Sequence, residues 1–343
     1  MSELAGKVQT VLGPIAPENL GRTLMHEHIL TDLTPPDERG DLEEAVITFE
    51  NLYDSTYNWM DTPGIRRITE PEIAVREMEW MLDDGGRSIV DVSTPGMAIF
   101  PEGLRRVAET SGARIVMGCG RYLESFMSPA DLERGVDNLA AEFVGCIQDG
   151  FDETGVKAGL IGEIGCSWPW TAAEKRSVEA AVLAQRETGA AVTIHPGLSE
   201  EAPFAIVDML RETGADLSRS IIDHVERRLF DTDGVLRLAD AGVVLEFDLF
   251  GVESSRFPMG RDVSPSSDGV RLDRIRSLIE HGHRDRIVIS HDIVYRTRRR
   301  SLGGHGYGHI FRNVVPMMRR RDFTEAEIDA LLVENPKRLL TFV

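Results

Sequence analysis

Short apolar runs, several of them rich in β-branched residues, recur along the chain and are separated by longer stretches with helical spacing. The first run starts at Leu24 and ends in His26-Glu27-His28. The others lie at Ser88–Ser93, Arg114–Gly118, Val156–Gly162, Ala191–Ile194, Ser220–Asp223, Val243–Phe247 and Arg286–Ser290. Their length and composition predict strands, whereas Ala172–Thr188 and Glu201–Arg211 carry the wider periodicity of helices. Several helical stretches stop at a glycine directly before the next strand, as in ETGAAVTIH and DAGVVLEFD, which suits a helix C-cap and turn. Strands alternating with helices predict a parallel sheet. Eight such units predict an α/β protein of the closed (β/α)8 TIM barrel type, one domain over residues 1–343 with enlarged βα loops. Leu33–Glu70, polar and rich in Pro and aromatics, reads as an enlarged first βα loop; Val252–Asp268 is a second long loop without a readable pattern.

Charge and composition narrow the partners. A net charge of −19 over 343 residues argues against nucleic acid, whose phosphates demand clustered Lys and Arg. The one cationic run, Arg296 to Arg300, is expected to be a solvated or subunit-contacting loop. No apolar run approaches a membrane span, and no basic-then-apolar leader opens the chain. Three cysteines without a CxxC pair suit free thiols in a reducing, cytoplasmic setting. The expected partner is therefore a small-molecule substrate.

The strand ends carry the candidate chemistry. Residues two apart on a strand share a face, so His26 and His28 converge while Glu27 points the other way. Strand four runs into Glu163, strand five into His195, strand six into His224 and strand eight into Asp292, all at one rim. Four histidines and two carboxylates there suit two divalent metal ions with one carboxylate bridging. Such ligands favour zinc, with Mn or Co nearly as suitable. His281 and His283 fall in a polar loop and are expected to be solvated, and His291 points away from Asp292 by strand parity. Gly303–Tyr307 lacks the Lys and Ser/Thr of a phosphate loop. It is expected to form a mobile part of loop eight from which His305 or Tyr307 touches substrate. Arg121 and Tyr122 after strand three, Arg227 after His224, and Arg296 are candidate substrate contacts, with Asp248 and Cys166 in supporting roles.

Together these segments resemble the phosphotriesterase branch of the amidohydrolase superfamily along essentially the whole chain. The resemblance rests on GRTLMHEH, IVDVSTPG, GLIGEIGCSWPWT, IHPG, IIDHVERR, LEFDLFG, ISHD, GGHGYGHI and ENPKRLLTF. EIGCSWP, EFDLFG and GGHGY point specifically to the phosphotriesterase-related proteins. One departure matters. The founding enzymes bridge their metals with a carboxylated lysine on strand four, where this chain places Glu163. Lys157 lies six residues upstream, about 20 Å away along an extended strand, and cannot substitute. The resemblance implies that His26, His28 and Asp292 hold one metal, His195 and His224 the other, and Glu163 both. It further implies attack by a bridging hydroxide, with Asp292 as the catalytic proton acceptor and donor. The implied substrate is the amide of a small anionic N-acylated amine such as N-acetyltaurine. A lactonase with only promiscuous phosphotriesterase activity is the alternative, and a metal-binding barrel without catalysis is the alternative outside enzymes. Homodimers are common among such relatives.

Overall fold

The computed structural model describes residues 4–40, 42–254 and 266–343. Eight parallel strands follow one another in chain order around one sheet: β1 (Thr23–Glu27), β2 (Ser88–Asp91), β3 (Arg114–Cys119), β4 (Leu160–Gly165), β5 (Val192–His195), β6 (Ser220–Ile222), β7 (Val244–Phe247) and β8 (Ile287–Ile289). Helices such as Pro71–Asp83, Val136–Gln148 and Ala172–Thr188 separate them and cover the outer face, so the strands are buried on both sides and read as continuous apolar runs. This is the (β/α)8 barrel that the alternating pattern predicts. No helix among the described residues is long and apolar enough to cross a membrane.

The barrel interior is a tight apolar layer. Met25, Val90, Val116, Leu160, Ala191, Ile221, Val244 and Val288 meet there. Val8 from an N-terminal hairpin (Val8–Thr10 with Gly13–Ile15) and Leu339 and Leu340 near the C-terminus pack on the same layer. Polar residues at the opposite strand ends then stand on an apolar floor.

Two irregularities decide which polar residues face inward. The pairing of β1 with β2 shifts register between Leu24 and Glu27, and that of β4 with β5 shifts between Ile161 and Ile164. In β4, Leu160 packs inside the barrel whereas Ile161 and Ile164 both pack in the outer core. Strict alternation would send Glu163 outward with Ile161; the extra residue of the bulge turns it inward. Gly162 makes this possible. Its φ is +123°, and a Cβ there would lie 2.4 Å from the Thr193 carbonyl oxygen. Strand four therefore runs over Leu160–Gly165 instead of the expected Val156–Gly162. Upstream, the Val156 carbonyl accepts from Phe151 N–H and Ala158 N–H donates to Cys146, outside the sheet.

The seam between β8 and β1 is closed by a side chain. Glu27 turns away from the two histidines, and its Oε1 accepts from Ser290 Oγ (2.8 Å), His291 N–H (2.8 Å) and His291 Nδ1 (2.7 Å). Its Oε2 accepts from Ile293 N–H (3.1 Å). Asp292 N–H donates to the His26 carbonyl at 3.2 Å, which brings the two strand ends together.

The long first loop is ordered at its base by an antiparallel pair, Thr31–Asp32 with Arg67–Ile68. The cationic run is not solvated as expected. Arg296, Arg298 and Arg299 are buried: Arg296 pairs with Glu44 (2.9 Å) and Glu70 (2.7 Å), and Arg299 with Glu70 (3.3 Å). Glu44 and Glu70 of the first loop thus neutralise Arg296 and Arg299 and tie loop one to loop eight. Of the expected loop over 252–268, residues 255–265 lie outside the described residues.

Removing Glu27 leaves four buried donors unsatisfied. Glu27→Ala is expected to cost about 3–5 kcal/mol in urea unfolding followed by circular dichroism. Glu27→Gln, which keeps one acceptor oxygen, should cost less. A loss below about 1 kcal/mol for the Ala variant would show that the seam does not depend on this carboxylate.

Candidate metal centre

The structure brings all six residues expected at the metal centre together at the C-terminal ends of the strands, each at most 5 % exposed. Their atoms separate into two sets. His28 Nδ1 hydrogen-bonds to Ser93 Oγ (2.9 Å), which leaves Nε2 to face Glu163 Oε1 and Asp292 Oδ1, both at 3.4 Å. His26 Nε2 lies 3.8 Å from the same Glu163 oxygen and 3.7 Å from the same Asp292 oxygen. Across the rim, His195 Nδ1 is 2.9 Å from Glu163 Oε2, and His224 Nε2 is 2.8 Å from His195 Nδ1 and 3.8 Å from Glu163 Oε2. Glu163 thus turns one oxygen to each set.

Buried partners hold these side chains in place. His224 and Asp292 both adopt left-handed backbone, φ +54° and +53°, a conformation that costs a non-glycine residue roughly 1–3 kcal/mol. Asp248, expected in support, braces the first: its carboxylate accepts from His224 N–H (2.8 Å) and lies 2.7 Å from Nδ1, so Nε2 is the nitrogen left facing Glu163. Arg298 braces the second by donating to the carbonyls of Asp292 and His291, both at 2.5 Å, and of Phe250 at 3.3 Å. His291 is structural, as parity implies: it meets Glu27 and accepts from Ile310 N–H. Lys157 sits at the other end of the barrel beside Lys7 and Gln9.

Asp223 and Glu246, which the sequence did not single out, join Asp248 in a lower acidic layer. Asp223 Oδ2, Glu246 Oε2 and Asp248 Oδ2 lie 3.5, 3.7 and 3.7 Å from His26 Nδ1, all buried. Glu246 interrupts the apolar run of strand seven and Asp223 ends that of strand six. A charged residue in an otherwise apolar buried strand was the signal available.

The electrostatics ask for positive charge. Burial opposes ionisation of Glu163, yet hydrogen bonds from His195 and His224 and the field of His26 more than offset it, holding the carboxyl well below its usual range. Burial likewise opposes ionisation of Asp292, and the bond from His28 with the fields of His224 and His26 holds it low. Burial lowers His28, but Asp292 and Glu163 outweigh that and raise it to about 9. His26 rises for the same kind of reason, through Asp223 and Glu163. On the other side burial dominates and lowers His195 to about 4. His224 falls through burial and the nearby Arg227. Neutral imidazoles facing an ionised carboxylate form a ligand set ready for a cation.

The donors fit divalent metal. Both ring nitrogens of His26 are buried and have no hydrogen-bond partner among the described residues, a costly arrangement for a core histidine and a natural one for a ligand. His26, His28 and Asp292 place ligand atoms within 4.8 Å of one another, as do His26, Glu163, Asp223 and His224. Imidazole nitrogens with carboxylate oxygens suit zinc, manganese or cobalt.

A small cavity of about 30 Å³ opens above these atoms, lined in part by Trp59, Tyr122, Arg227, Tyr295 and Arg298. Of the expected substrate contacts it brings Tyr122 and Arg227 to the site. Arg121 is committed to Asp131 (3.0 Å) and Glu142 (2.9 Å), and Arg296 to Glu44 and Glu70, since each cation found its counter-charge in the nearest acidic segment. Gly303–Tyr307 is packed where a mobile flap was expected. A Cβ on Gly304 would lie 2.2 Å from the Arg298 carbonyl carbon. The buried Tyr307 hydroxyl donates to the His28 carbonyl at 2.7 Å, and His305 Nε2 accepts from Arg298 Nε at 3.1 Å. Trp59 and Tyr295 were not anticipated, because an aromatic in a long loop carries no periodic signal.

Comparison with known proteins agrees with this geometry. The chain is 41 % identical to N-acetyltaurine hydrolase of Xenopus tropicalis and 40 % to that of Homo sapiens, each aligned over all of both chains. The crystal structure of a resiniferatoxin-binding protein from Rhodobacter sphaeroides superposes with a TM-score of 0.91 at 34 % identity, covering 99 % of this chain and 98 % of that one. The model of the Phosphotriesterase family matches residues 6–340. With the barrel, the rim ligands and these full-length relatives in agreement, the chain belongs to the phosphotriesterase family and is a hydrolase.

Proposed function

We propose that this chain hydrolyses the amide bond of a small anionic N-acylated amine, with N-acetyltaurine the leading candidate, at a centre of two divalent metal ions. The observation that carries the reading is the division of the Glu163 oxygens between two histidine sets, with Asp292 beside them and the cation Arg227 lining the same cavity. The activity carried by the frog and human relatives supports the substrate.

Cations held by His26, His28 and Asp292, and by His195 and His224 with Glu163 shared, would polarise the scissile carbonyl and acidify the attacking water. The protein's own groups do the rest. Asp292, held ionised by the surrounding histidines, accepts a proton from the water as its oxygen bonds to the acyl carbon. It returns that proton to the amide nitrogen as the C–N bond breaks, so the products are a carboxylate and an amine. Arg227, on the loop after β6, pairs with the sulfonate or carboxylate tail. Zinc is the first expectation for the metal, and manganese or cobalt would serve the same ligands.

Amine release from N-acetyltaurine by metal-replete protein tests the assignment, with a panel of lactones beside it. Turnover of a lactone and none of the amide would overturn the substrate. Chelation is expected to abolish activity, and about two equivalents of divalent metal per chain, counted by elemental analysis, should restore it. Asp292→Asn should lower kcat by a factor on the order of 10²–10⁴ while circular dichroism stays native; unchanged turnover would remove Asp292 from the chemistry. Arg227→Gln should raise KM for the anionic amide by roughly 10- to 100-fold and leave a neutral N-acyl amine nearly unaffected. Equal losses on both substrates would exclude recognition of the tail by Arg227.

A further inference from the structure

A second cavity lies directly outside the first and shares one wall with it. It has a volume of about 560 Å³, and Leu52, Tyr53, Tyr57, Val252 and His305 are among the residues that line it. Trp59, Tyr295 and Arg298 line both cavities and are therefore the partition between them. Arg298 is fixed by its bonds to three carbonyls and His305. The rest of the partition is a single aromatic stack: the Trp59 and Tyr295 rings lie 4.8 Å apart and 5° from parallel. Both are buried, packed with Ile65 and against Ala45, Ile47 and Val294. Loop one supplies one ring and loop eight the other.

We propose that the Trp59–Tyr295 stack sets the acyl-chain limit of the enzyme, and that the outer cavity is a latent subsite for an alkyl extension of the acyl group. The proposal rests on the amide-hydrolase reading for the identity of the acyl group. Three features carry it. Beside Arg298, which is bonded to backbone carbonyls and His305, the partition is a pair of stacked rings, so an alkyl group meets ring faces there. Tyr295 follows Asp292 by three residues and Trp59 lies on the loop after β1, whereas Arg227 follows β6; the anionic end and the stack therefore occupy different sectors of the rim. The outer lining is rich in aromatic and aliphatic side chains, and each methylene buried there would be worth about fourfold in affinity.

The test is a chain-length series. kcat/KM is measured for N-acetyl-, N-butyryl- and N-hexanoyltaurine with the wild-type chain, Trp59→Ala, Tyr295→Leu and Trp59→Phe. The wild type should lose about tenfold or more between acetyl and hexanoyl. Trp59→Ala opens the partition and should raise the hexanoyl-to-acetyl ratio at least tenfold, and Tyr295→Leu should move it the same way if the Ala variant fails to fold. Trp59→Phe, which keeps a ring against Tyr295, should hold the ratio near that of the wild type. Calorimetric binding of acetate and hexanoate, the carboxylate products, gives a readout that needs no turnover. Hexanoate should bind Trp59→Ala at least tenfold more tightly than the wild type. Absence of amide turnover in every protein would defeat the amide reading and leave this binding measurement to judge the stack. A hexanoate affinity no higher in folded Trp59→Ala or Tyr295→Leu than in the wild type would overturn the proposal.

Discussion

Everything at the rim depends on how the barrel closes. A parallel sheet normally closes through backbone ladders, but between β8 and β1 the work is done by Glu27, a buried carboxylate accepting four donors from Ser290, His291 and Ile293. That contact sets the C-terminal ends of the two strands beside each other. His26 and His28 come from one side of the seam and Asp292 from the other. The chain separates them by more than 260 residues, yet their ligand atoms lie within 3.4–3.7 Å. The central residue of the HEH motif thus acts on the chemistry by locating its two neighbours.

The rim also concentrates charge that the interior would otherwise reject. Glu163, Asp223, Glu246, Asp248 and Asp292 are buried with four histidines. Burial pushes the Asp223, Glu246 and Asp248 carboxyls up, so a low-dielectric site holds such groups protonated or beside positive charge. The neighbouring carboxylates raise His26 and His28, whereas burial lowers His195 and His224 and favours their neutral imidazoles. Strained backbone at His224 and Asp292 belongs to the same economy of position. Each is held by a partner, Asp248 or Arg298, that bonds its main chain directly.

Loops one and eight complete the site as a unit. Glu44 and Glu70 reach from the first loop to Arg296, and the Trp59–Tyr295 stack joins the same two loops over the cavity. Arg296, Arg298 and Arg299 of the cationic run are therefore an internal fastening. The same holds for GGHGY. Gly304 lets the chain press on Arg298, Tyr307 bonds the His28 carbonyl, and the segment stiffens the ligands it borders.

The barrel and the six rim residues were legible from the chain because both are periodic signals: apolar runs of strand length, each ending in a histidine or carboxylate. Covalent order alone places such endings at one rim once the strands are parallel. What the residues could not show is set by contacts between distant segments. Glu163 faces inward only because Gly162 lets β4 bulge against Thr193, and strand alternation by itself points it outward. Arg121 and Arg227 look alike in sequence, and only tertiary packing pairs the first with Asp131 and Glu142 and places the second in the lining of the cavity. The rim histidines and carboxylates were thus located by residue type and strand position. The shape around them, and with it the choice of substrate, was decided by loop packing, because a side chain's counter-charge or stacking partner has no fixed spacing along the chain.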